Sequence, residues 1–123
     1  MRIDGIDPSG NRKPLKVDAA GNLIASASEY ETVAASQTAQ VMGATGAAGD
    51  IIRGILVIPA VVACGVVTLL DGSTSIPVFV GGGTTALADA KPFFIPLGLK
   101  SVSGAWKITT GTSVSCIAVG DFT

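Results

Sequence analysis

The chain has 123 residues, enough for one domain with a hydrophobic core. Only 14% of them are charged and 48% are apolar, and the net charge of −1 leaves no basic patch for nucleic acid. Histidine is absent, which removes Ser-His-Asp and Cys-His catalysis and the commonest zinc ligand.

Residues 1–30 read as a polar, turn-rich N-terminal arm with short hairpins. Nine of the chain's seventeen charges fall in residues 1–31. The arm repeats D-x-x-G-N, as "DPSGN" at Asp7–Asn11 and "DAAGN" at Asp18–Asn22. Asp first and Gly fourth are the preferences of a type I turn, and Asp can bond the backbone ahead of it. A calcium site built on these residues would need six or more converging oxygens, so plain turns are the better reading. The intervening "KPLKV" and "LIASA" alternate like short strands. Such an arm forms small hairpins or laces onto a neighbour by adding a strand to its sheet. The candidate contact residues are Arg12, Lys13, Pro14, Leu15, Lys16 and Val17, where cations flank an alternating segment. The competing reading of "NRKPLK" is a solvated turn.

Residues 31–123 read as the body. The expected strands are "ETVAA", "QTAQVMG", "IIRGILVI", "CGVVTLL", "SIPVFVG", "PFFIPLGL", "AWKITTG" and "VSCIAVGDF", divided by Gly, Pro, Asp and Ser. Eight short strands predict an all-β fold, an antiparallel sandwich or jelly roll. Only "TTALADAK" offers a helical turn. The charge-free run from Gly54 to Leu70 is at the short limit for a membrane helix, and Pro59, two glycines and many β-branched residues favour strands. Runs this uniformly apolar belong to strands covered on both faces. No membrane association is expected, and no apolar segment of a signal peptide opens the chain.

The glycines of "GATGAAG" are spaced three apart, but the strand-and-helix context of a dinucleotide loop is missing, and "GGGTT" lacks the Lys-Ser/Thr of a phosphate loop. Asp50, Asp71, Asp89 and Asp121 each sit beside Gly or Ala and read as turn-formers with local partners. Cys64 and Cys116 are 52 positions apart and make no C-x-x-C pair for a metal. Reduced core thiols and a disulfide both stand. Trp106 reads as a core residue, a subunit-interface aromatic or a sugar-stacking ligand aromatic. No catalytic, metal or cofactor site is expected, and an enzyme is disfavoured. A body this poor in charge predicts association with further subunits.

The phrases "PLKVDAAGNLIAS", "GDIIRGILVIPA", "GVVTLLDGSTSIPVFVGG", "KPFFIPLGL" and "SGAWKITTGTSVSCIAVGDF" carry a resemblance. Their cadence, over residues 45–123, resembles small virion proteins of tailed bacteriophages, and most of all the capsid decoration (cement) proteins. The resemblance implies a homotrimer on the capsid surface, made in the host cytoplasm. It also implies a shell of major capsid protein as partner, with the arm reaching towards neighbouring shell subunits. Two other functions fit the same strands: a head- or tail-fibre module that binds host-surface glycans, and a self-assembling capsid or tail subunit.

Overall fold

In a computed structural model, residues 4–6, 12–14, 28–81 and 90–123 are described. All regular structure among them is β. Two three-residue strands, β1 (Asp4–Ile6) and β2 (Arg12–Pro14), pair antiparallel with each other and with no third strand among the described residues. Both D-x-x-G-N phrases, at Asp7–Asn11 and Asp18–Asn22, lie outside the described residues. The "TTALADAK" segment falls almost wholly outside the described residues.

The body contains β3 (Glu29–Val33), β4 (Gln40–Val41), β5 (Ile51–Pro59), β6 (Val67–Asp71), β7 (Thr74–Phe79), β8 (Phe93–Lys100), β9 (Trp106–Thr110) and β10 (Val114–Asp121). Their ladders follow one rule. β6 pairs with β7 across the Gly72–Ser73 turn, then β5 with β8, β4 with β9, and β3 with β10. The body is thus one long antiparallel ribbon closed at the "DG" turn. Rolling that ribbon adds two ladders, β10 with β5 and β9 with β6. The result is two four-stranded sheets, β3-β10-β5-β8 and β4-β9-β6-β7. Eight strands rolled in this way make a jelly-roll sandwich.

Alternation decides what each strand buries, because successive side chains point to opposite faces. The first sheet turns Val33, Ile52, Ile55, Val57, Val114, Cys116 and Ala118 inward, and the second turns Val67, Leu69, Trp106 and Ile108 against them. Met42, in the loop after β4, is fully buried with them. Across the open side of the sandwich the rings of Phe79 and Phe93 meet edge to face, with centroids 5.3 Å apart.

Several expectations need adjusting. β3 begins at Glu29, two residues before the boundary placed between arm and body, because its pairing with β10 starts at Glu29↔Gly120. Of "QTAQVMG" only Gln40 and Val41 pair. The residues before them are instead fastened by side chains: Thr110 Oγ1 donates to the Ala34 carbonyl at 2.6 Å and accepts from the Gln37 amide at 3.0 Å, while Thr109 Oγ1 accepts from the Ala39 amide. β6 starts at Val67, so Cys64 stands in the loop before it. The charge-free run is strand, loop and strand, and no helix among the described residues is long and apolar enough to cross a membrane. The three glycines of "GATGAAG" have φ of 89°, 65° and 97°, left-handed values that explain their presence by backbone geometry.

Candidate functional site: an apolar outer face and a carboxylate-held end

The sandwich covers one face of each sheet and leaves the other outward. On β4-β9-β6-β7 the outward set is mixed: Thr68, Ser75, Lys107 and Thr109 stand beside Val41, Leu70 and Pro77, through the pairs Thr68↔Thr109, Thr68↔Pro77, Leu70↔Lys107, Leu70↔Ser75 and Val41↔Lys107. That is the ordinary face of an antiparallel sheet meeting water. The outward set of β3-β10-β5-β8 is different. Phe94, Leu56, Ile117 and Thr32 form one row across the four strands, and Pro96, Gly54, Val119 and Tyr30 form the next. Ile58 lies beyond Leu56 on β5, opposite Ser115. None of these apolar residues packs on the central core. Phe94 is 51% exposed and Tyr30 74%.

β5 was expected to be covered on both faces. Among the described residues the second sheet packs on one face of β5 only, and Leu56 and Ile58 on its other face are half-buried.

Phe94 is fitted to this face by a glycine. A Cβ on Gly54 would stand 2.1 Å from the ring's Cζ, so the ring lies over bare backbone. At the end of the face, Arg53 is skipped by the registers of both adjoining ladders. Its guanidinium donates to the Asp121 carboxylate at 3.0 Å. The pair is partly exposed and neutral overall.

The carboxylates gather at that same end, and most of their partners are remote in sequence. Asp71, the last residue of β6, accepts from the amides of Val102, Ser103 and Gly104 at 3.0–3.2 Å. Asp50 accepts from the Ala47 amide at 3.1 Å, from the Thr123 amide at 3.0 Å and from the Thr123 hydroxyl. Glu31 accepts from the Gly43 amide, and Glu29 from the Phe122 amide. The expectation of turn-formers with local partners is corrected for Asp71 and Asp121: these acids join segments 31 and 68 residues apart. Asp50 combines a local bond with one spanning 73 residues. Asp89 lies outside the described residues.

These bonds act on the ionised forms. Asp71 is held below the usual carboxylate value by the Val102 amide above all, against the opposing effect of burial, with the Ser103 and Gly104 amides assisting. For Asp50, burial pushes upward, and the hydrogen bonds from Thr123 and Ala47 outweigh it and leave it lowered. Both contributions to stability are therefore complete above about pH 4 and are withdrawn as pH falls through the lowered folded values. Asp71→Asn is expected to weaken the fold at pH 7 and to lose less than the wild type between neutral pH and about pH 3. Urea midpoints at the two pH values check this; equal losses for both proteins would show that Asp71 is no source of the acid sensitivity.

The other sequence candidates are placed as follows. Arg12, Lys13 and Pro14 form β2, where they face Ile6, Gly5 and Asp4 of the same hairpin. Leu15, Lys16 and Val17 lie outside the described residues. Trp106 is 2% exposed, and its indole N–H donates to the Asp50 carbonyl at 2.9 Å. It is a core residue, and the interface and ligand-aromatic readings of it are corrected, because a ring closed off by both sheets meets neither a sugar nor a partner. Cys64 and Cys116 are both buried and free, and burial pushes the Cys116 thiol up to about 12. No cluster of metal-binding side chains occurs among the described residues.

Sequence reasoning missed the outward row of Leu56, Ile117 and Phe94, although its signal was present. "GILVI" and "SCIAV" place apolar residues at both parities, and only one parity can face the core. No protein-family model, curated protein or solved structure matches this chain.

Proposed function

We propose that this protein is a virion structural protein: a capsid decoration protein that binds and stabilises the assembled head shell as a trimer. The observation that carries the reading is the unequal pair of outer faces. A jelly roll with one mixed outer face, where Val41, Leu70 and Pro77 alternate with polar residues, and one predominantly apolar outer face is suited to a place in an assembly. The resemblance of residues 45–123 to the decoration proteins supplies the kind of assembly. The β1–β2 hairpin, separate from the body's sheets and bearing Arg12 and Lys13, suits an arm that reaches neighbouring subunits of major capsid protein. In this reading the chain performs no chemistry and takes no cofactor.

The physics of the role is linkage. A protein that binds the assembled lattice and not free subunits stabilises the lattice by mass action. Several modest contacts per trimer add through avidity. Particles stripped of the protein are expected to burst at lower temperature or under milder osmotic shock, and to regain their resistance when purified protein is added back. Particles that neither weaken on stripping nor rebind the protein would refute the role. The glycan-binding alternative loses its best aromatic with the burial of Trp106.

A further inference from the structure

We infer that the protein meets the shell through one end of its sandwich, built from residues 34–39, 60–66, 80–81 and 111–113, and that the surface it meets is uncharged protein. The inference rests on the proposed capsid-binding reading. It adds which surface makes the contact and what chemistry recognises it.

Three observations lead to it. The first is where the charges lie. Across the β3-β10-β5-β8 sheet one end carries Glu29, Ile51, Lys100 and Asp121, and the opposite end carries Val33, Pro59, Phe93 and Val114. Every described carboxylate of the body, with Arg53, Lys100 and Lys107, belongs to the first half. Among the described residues only Lys91 belongs to the other. Taking a charge out of water is costly, so the charged end stays in solvent and the uncharged end is the one suited to being covered.

The second is how the loops are fixed. At the charged end carboxylates hold them. At the uncharged end neutral groups do the same task. The Ala60 amide donates to the Ser113 carbonyl, the Gly65 amide to the Thr112 carbonyl and the Gly111 amide to the Val66 carbonyl, each at 2.8 Å, and the Ser36 amide donates to the Gly111 carbonyl at 2.9 Å. Gly65 and Gly111 let two of these loops touch, because a Cβ on either would stand 2.7 Å from the other's Cα. Backbone already bonded within the chain loses little when water is removed from it.

The third is what that end exposes, and it selects the partner. Val80 is 81% exposed, Val61 47% and Val66 42%, and Ser36, Thr38, Thr112 and Ser113 stand exposed among them. Hydroxyls carried into hydrocarbon would lose their hydrogen bonds, and these loops hold no aromatic ring to lie at a lipid interface. A protein surface offers apolar contact and hydrogen-bond partners together. Four strands about 4.8 Å apart in two sheets about 10 Å apart give the end roughly 400 Å². One such contact is too small for a specific interface, and several made by joined copies on one repeating lattice are enough.

The test adds the purified full chain to stripped particles and reads the dissociation constant by co-sedimentation. Val80 and Val102 are a matched pair, 81% and 82% exposed at opposite ends. Val80→Lys and Val80→Glu should each weaken binding at least tenfold, because desolvation penalises either sign. Val61→Lys should do the same from the loop against which Gly81 packs. Val102→Lys should bind within twofold of the wild type. Emission of Trp106, the only tryptophan and a core residue, reports whether each variant is folded, and sedimentation velocity reports its state of assembly. Folded Val80 variants of both signs that keep the wild-type assembly and bind weakly, beside a normal Val102→Lys, support the inference. With the capsid reading intact, it is overturned if Val80 variants bind like the wild type, if the two signs act oppositely, if Val102→Lys weakens binding as much, or if a Val80 variant changes the state of assembly instead. Wild-type binding to phosphatidylcholine vesicles that Val80→Glu abolishes would overturn it by giving this end to lipid. A wild type that binds no particle refutes the capsid reading and the inference with it.

Discussion

Trp106→Ala is expected to lower the unfolding free energy by about 3–5 kcal/mol, among the largest losses available to a single substitution in this chain. Trp106 is the largest fully buried side chain and closes the carboxylate end of the sandwich, where its N–H reaches the Asp50 carbonyl. Two effects are removed together, and their sizes differ. The hydrogen bond is worth about 1 kcal/mol net. Its loss does not orphan the carbonyl, which also accepts from the Ser101 amide at 2.8 Å. The cavity dominates. Trp106→Phe separates the two, since it keeps an aromatic ring and removes the donor, and it should cost well under half as much. Urea denaturation at 25 °C followed by circular dichroism measures both. A Trp106→Ala loss below about 1 kcal/mol would show that the indole does not fill the core.

The second large effect inverts a general rule. Glycine inside a strand normally costs stability relative to alanine, by about 0.5–1 kcal/mol. Gly54→Ala is nevertheless expected to destabilise, by about 1–3 kcal/mol, because the site is already filled. The new methyl would meet the Phe94 ring at 2.1 Å and the Ile95 carbonyl oxygen at 2.8 Å. The ring is free to swing away and the carbonyl is not, because it belongs to the strand paired with β5. Adding Phe94→Ala relieves only the ring, so the double variant should lose less than the sum of the single ones, with a coupling of roughly 1 kcal/mol. Strict additivity would show that Phe94 does not rest on Gly54. A stabilised Gly54→Ala would show that the close approach is absent altogether.

Both predictions concern residues whose type was conspicuous in the sequence and whose task was not. A single tryptophan and a glycine within a β-branched run can be noticed in a string of letters. That Trp106 reaches Asp50, 56 residues away, and that Gly54 makes room for Phe94, are consequences of strand register. The acids behave likewise. Asp71 beside Gly72 reads as the start of a turn, and a turn does follow it. Its carboxylate, however, serves three amides of a loop more than 30 residues away. Local composition announces turns, and long-range hydrogen bonds leave no local trace.

The sequence by itself determined the fold class and all eight body strands, because side-chain alternation and Gly, Pro and Asp punctuation are local properties with a period of two. It also determined that the body is poor in charge, and that the charges it has are concentrated towards the N-terminal end. Only the tertiary structure decided how the ribbon rolls, and with it which parity of β5 and β10 enters the core. An apolar residue at either parity looks the same in the chain, and burial is settled by the sheet that packs above it. The second sheet covers Ile55, Val57 and Cys116 and leaves Leu56, Ile58 and Ile117 facing outward. The apolar outer face exists because a sandwich has one interior and each of its sheets has two faces.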